Sequence, residues 1–131
     1  MDPVPLPWLQ PMPLCVPPAV AEGLDLAALR AGLERLAADP AVKALVAFGS
    51  RARGHARLDS DLDLAVISAM PQLEPQRKLQ EWSRLRGQLA SVGVGVDLIV
   101  SGWQDAARMA QSRWHVMGDV AREGQVLYVA G

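Results

Sequence analysis

Three short apolar runs set the frame of this chain: VKALVAF (Val42–Phe48), DLDLAVI (Asp61–Ile67) and VDLIV (Val96–Val100). Each is too short for a buried helix and rich in β-branched residues, so each reads as a strand. The stretches between them carry the helical period instead. Leu26, Leu29, Leu33 and Leu36 recur at helical spacing, with Asp25 as N-cap and Asp39-Pro40 as the stop. Gln76 to Ser91 reads as a second helix, with Leu79, Trp82, Leu85, Arg86 and Leu89 on one side. Ser101 opens a helical stretch, continuous or interrupted, to Arg122; Gly124 ends it and QVLYV is a last extended piece. This alternation predicts a small α/β (α+β) domain, a short mixed sheet flanked by helices. With 131 residues, half of them hydrophobic, the chain suits one core and excludes global disorder.

Seven of the ten prolines fall within residues 1–18. Proline lacks the amide hydrogen and clashes with a preceding helical turn, so this segment is extended or polyproline-like. The reading divides the chain into a proline-rich tail, 1–18, outside the core, and a domain, 19–131. The tail is either loose or a docking arm that lays Leu6, Trp8, Leu9 and Met12 on a groove. Thirteen basic residues against fourteen acidic argue against a general polyanion binder, so direct nucleic-acid binding is not expected. A single cysteine, Cys15, excludes an internal disulfide and a thiolate zinc cluster and points to the reducing cytoplasm. No apolar run approaches the ~20 residues of a membrane span. The prolines and the lack of a basic start also argue against a signal peptide.

The chemistry concentrates in GSRARGHARLDSDLDLAV, residues 49–66. Asp61 and Asp63 stand two apart at the mouth of a strand, on one face. Two such carboxylates repel unless a cation lies between them, and their hard oxygens suit Mg²⁺. The same D-x-D also fits a solvated acidic turn. Asp97 interrupts the later apolar run and needs a partner: a metal beside Asp61 and Asp63, a backbone group or an arginine. Gly49-Ser50 follows the first strand directly, where glycine permits close approach of a ligand and serine with free amides can hold phosphate. A plain strand-to-helix turn has the same sequence. Arg51, Arg53 and Arg57 add nearby cations.

In this order and spacing, Gly49, Ser50, Arg51, Gly54, Ser60, Asp61, Asp63, Leu64 and Asp97 resemble the pattern of the polymerase-β-like nucleotidyltransferase superfamily. More narrowly, the chain resembles the minimal nucleotidyltransferases that act as antitoxins beside HEPN-domain toxins. AREGQVLY (Ala121–Tyr128) is similar to the close of those small proteins. The resemblance spans roughly residues 20–129 and does not include the proline-rich head. It implies that Asp61, Asp63 and Asp97 are catalytic and hold Mg²⁺, with Asp97 on a second metal or acting as general base. Gly49 and Ser50 would cradle the triphosphate of ATP, with Arg51 and Arg53 as further phosphate contacts; the arginines equally suit solvated salt bridges. The implied reaction moves AMP from ATP to a hydroxyl of a HEPN toxin RNase and silences it. A small chain leaves little room for a second substrate domain, which favours an acceptor presented by a partner protein. The alternatives are an antitoxin that neutralises by binding alone and, further off, an aminoglycoside-type small-molecule transferase. Homo- and hetero-oligomers are both compatible.

Other reactive residues read as ordinary. His55 lies in a variable-looking loop, His115 between Trp114 and Val116 suits packing or a helix surface, and Cys15 has no histidine near it. Trp82, Trp103 and Trp114 read as core or interface, and Tyr128 as packing.

Overall fold

The fold is that of a computed structural model and is described for residues 2–131. Its elements follow the chain as α1 (Pro18–Ala21), α2 (Leu26–Ala38), β1 (Val42–Phe48), α3 (Gly49–Ala52), β2 (Leu62–Ser68), α4 (Pro75–Arg86), β3 (Val96–Gly102), α5 (Trp103–Met109), α6 (Val116–Glu123) and β4 (Gln125–Val129). The sheet has four strands in the order β3-β2-β1-β4. β1 runs antiparallel to both β2 and β4, whereas β2 and β3 are parallel, so the sheet is mixed. A parallel pair needs a crossover, and α4 supplies it.

Alternation along the strands divides the core in two. Leu45, Ala47, Leu62, Leu64, Val66, Leu98 and Val100 face α2 and the end of α4, whose Leu29, Leu33, Leu36 and Leu85 complete that layer. Ala44, Val46, Phe48, Ala65 and Ile67 face the other way, toward Ala106 and Ala110 of the α5 region and Met117 and Val120 of α6. The expected Asp25 cap is present, its carboxylate accepting the Ala28 amide at 3.1 Å. The stretch after Ser101 is interrupted: β3 continues to Gly102, and α5 and α6 are separate helices.

Two expectations change. The proline-rich segment is extended, but it is not outside the core. Trp8 is 1% exposed and packs in the second layer, with Leu6 and Met12 against it. Met12 pairs with Val129, and the Cys15 amide donates to the Leu127 carbonyl, so the segment straps the β4 edge. The docking arm therefore docks on its own domain, with the indole as a member of the core layer on the α5 and α6 side of the sheet. The second helix ends at Arg86, and its hydrophobic residues do not form one buried stripe: Leu85 is buried, but Leu79 is 66% exposed. Trp114, in the turn between α5 and α6, is 90% exposed, and Trp82 of α4 and Trp103 of α5 are partly so, which places none of them in the core.

Candidate active site

The site lies where β1 ends and β2 and β3 begin. Antiparallel pairing sets Phe48 of β1 opposite Asp63 of β2, and parallel pairing sets Asp63 beside Asp97 of β3. Asp63 shares the alternation of Ala65 and Ile67, and Asp97 that of Ile99, so both carboxylates belong to the face covered by α5 and α6. At this end the cover stops: Asp63 is half-buried, and Asp61 and Asp97 are exposed. The sequence sets Asp97 inside an apolar run. β3 is nonetheless buried only from Leu98 onward, because its first residues emerge from the core.

Asp63 and Asp97 are register partners on neighbouring strands, close enough for Asp97 to act on the Asp63 carboxyl. Burial, first, and then the charge and hydrogen bond of Asp97 and the charge of Asp61 push the Asp63 carboxyl above its ordinary value; the Arg53 cation opposes them. Asp61 stands at the rim. A Cβ on Gly95, just before β3, would lie 2.8 Å from its Oδ1. Gly49 has φ +73°, and a Cβ there would collide with the Asp63 carboxylate. Only glycine both adopts that backbone and lets the carboxylate rest on the turn, which brings Gly49-Ser50 against Asp63.

Among the described residues, no three His, Cys, Asp or Glu side chains form a preassembled metal cluster. The donors nevertheless fit a small, hard cation. Asp63 and Asp97 are oxygen ligands held against their mutual repulsion, which a divalent ion would relieve, and Asp61 adds negative charge to the same spot.

The arginines separate. Arg53 is exposed, near enough to act on Asp63, and paired with Glu123 at 3.1 Å. Arg51 corrects the sequence expectation of a phosphate contact. It is 1% exposed, and its guanidinium donates to the carbonyls of Ser60 (3.0 Å), Val20 (3.1 Å), Glu22 (2.6 Å) and Leu58 (3.0 Å). Those bonds engage four of its five N–H donors, so this cation is a clamp between α3, the end of α1 and the loop that enters β2. Ser60 belongs to the same framework: its hydroxyl accepts the Arg57 amide at 2.9 Å. No feature of the sequence distinguishes an inward arginine from an outward one two residues later. His55 is exposed, and His115 caps α6, its Nδ1 accepting the Met117 amide at 3.0 Å.

Comparison with known proteins bears on the fold and the family. No protein of curated function matches the chain. Among solved structures, a protein of Sulfolobus solfataricus described as a nucleotidyltransferase is similar, with 19% identity and a TM-score of 0.56, over 85% of this chain and 87% of that one. A structure described as a toxin-antitoxin with AMP-PNP aligns at 22% identity and a TM-score of 0.47, over 76% of this chain and 72% of that one. The family model described as polymerase beta, nucleotidyltransferase, matches residues 33–130, which hold all four strands and every residue of the carboxylate site. The chain belongs to the polymerase-β nucleotidyltransferase family.

Proposed function

We propose that the chain transfers AMP from ATP to a hydroxyl of a partner protein, a HEPN toxin RNase, and so acts as its antitoxin. The observation that carries the reading is the juxtaposition of Asp63 and Asp97 beside the Gly49-Ser50 turn, with Asp61 at the rim. Family membership supplies the reaction class. The partner and acceptor rest on the resemblance of residues 49–66 and 121–128 to the minimal antitoxin nucleotidyltransferases.

Asp61, Asp63 and Asp97 would hold Mg²⁺, which when bound neutralises charge developing on the α-phosphate and the departing pyrophosphate. Gly49 and Ser50 take the triphosphate tail through the backbone amides and the serine hydroxyl of the turn. Arg53, half-exposed and paired with half-exposed Glu123, is free to exchange that partner for phosphate. The acceptor oxygen forms a bond to the α-phosphorus as the bond to the pyrophosphate oxygen breaks. Asp97, the more exposed of the contacting pair, accepts the hydroxyl proton.

The test incubates the protein with Mg²⁺, ATP labelled at the α-phosphate and the protein encoded by the adjacent reading frame. Label should move to that protein, and Asp63→Asn and Asp97→Asn should each reduce the rate by about 10²-fold or more. Full neutralisation of the toxin by the same unlabelling variants would replace this reading with antitoxin action by binding alone.

A further inference from the structure

The two edges of the sheet are finished differently. Along β4 the chain's own N-terminal segment lies as an extended strap, pinned by Met12–Val129 pairing and the buried Trp8. β3, at the opposite edge, pairs only with β2. Beside it runs a groove of about 440 Å³, walled by Leu79 and Trp82 of α4 on one side and by His115 and Val116 at the start of α6 on the other. Consecutive β3 residues, Leu98 through Ser101, all line it. Neighbouring strand residues point to opposite faces, so a groove touched by all of them follows the strand edge, not one face of the sheet. The Trp82 indole N–H donates to the Leu98 carbonyl at 2.7 Å, which fixes that wall against the edge. Lys78 and His115 are the ionisable lining groups, and no carboxylate lines the groove. The lining begins at Leu98, the residue after Asp97.

We infer that this groove holds an extended segment of the acceptor protein, apolar and acidic in its side chains, laid beside β3 so that its hydroxyl reaches Asp97. The inference rests on the nucleotidyl-transfer reading above and names the shape and chemistry of what that site modifies. Trp82 holds the Leu98 carbonyl, so the open stretch of the β3 edge begins beyond Leu98, and an open strand edge is a template for an extended chain. On the other edge of the same sheet, the strap shows such a segment seated with one large apolar anchor. The Lys78 side of the groove complements acidic residues, and exposed Leu79, Trp82 and Val116 complement apolar ones. At ~3.3 Å per residue, Val100 and Asp97 stand about 10 Å apart, so an apolar anchor should precede or follow the modified hydroxyl by about three residues.

The experiment measures initial rates of label transfer from ATP to the protein of the adjacent reading frame, for the wild-type chain and for Leu79→Glu and Lys78→Glu. The groove variants should raise KM for the protein acceptor by about tenfold or more, with KM for ATP within about twofold of wild type. Peptide mapping of the labelled acceptor should place the modified hydroxyl in an extended segment carrying acidic and apolar residues. Transfer by the wild type with unchanged acceptor KM in both variants overturns the groove and leaves the enzymatic reading standing. A parallel rise in KM for ATP assigns the groove to the nucleotide, and loss of a wild-type dimer in sedimentation assigns it to a second copy; either overturns the inference. No transfer by the wild type refutes the enzymatic reading and the inference with it.

Discussion

Replacing Arg51 by methionine separates two readings of one residue. Methionine keeps the length of the aliphatic stem and removes every donor. Four carbonyls, of Ser60, Val20, Glu22 and Leu58, lose their partner. A hydrogen bond from a charged donor contributes roughly 1.5–3 kcal/mol, and a buried acceptor left unpaired costs about 1–3 kcal/mol. Only the bond to Val20 is fully buried, so water can re-satisfy part of the other three. Removing the cation also returns its desolvation cost. The balance is a destabilisation of about 3 kcal/mol, or roughly 10–15 °C in Tm for a domain of this size. Urea unfolding should show a lower midpoint at unchanged slope. Arg51→Lys should fall between the two, since one ammonium cannot span carbonyls drawn from α1, the loop and the entry to β2. A stability loss below about 1 kcal/mol, together with a selective loss of affinity for an ATP analogue, would refute the clamp. It would restore the phosphate contact that the sequence alone suggests.

Three further outcomes follow from the same structure. Trp8→Ala empties a site 1% exposed and should cost about 3–5 kcal/mol in urea unfolding; a loss under 1 kcal/mol would mean that the strap adds nothing to the core. Asp63 has its folded pKa raised, so its ionisation destabilises the fold as pH rises from the unfolded value through the folded one. Asp63→Asn should therefore raise Tm at neutral pH, with the gain vanishing below the unfolded pKa of 3.8, while cutting the rate of label transfer as above; a lower Tm at neutral pH would contradict the cost assigned to burial and repulsion. Asp39, at the end of α2, is held at about 2 by Arg84 of α4, with help from Gln88 and the Ala41 amide. Its contribution is present above the unfolded pKa of 3.8 and lost as pH falls toward 2. Asp39→Ala should cost about 1 kcal/mol at neutral pH once the screening of half-exposed Arg84 is included, with the cost fading as pH falls through about 2. A pH-independent loss would exclude this ion pair as the cause.

The amino-acid order alone determined what depends on neighbours within a few residues. Runs rich in valine and isoleucine form β1, β2 and β3, the leucine period and Asp25 build α2, and glycine at position 49 permits the turn after β1. The carboxylates were legible as candidates for the same reason: acidic side chains at the ends of apolar strands are costly, and the cost is visible locally. Tertiary structure decided everything that depends on which surfaces meet. Only the parallel register of β2 on β3 sets Asp63 beside Asp97 and leaves Asp61 at the rim. Arg51 and Arg53 look alike in the chain, yet the turn of α3 sends one into a ring of carbonyls and the other outward to Glu123. Trp8 lies among prolines that announce an extended segment, but its burial requires a core layer built from strand and helix residues far along the chain. Leu79 and Trp82 continue a helical apolar pattern, and the sheet ends before it can cover them. Periodicity reports which side of an element is apolar; it carries no information about whether another element arrives to meet that side.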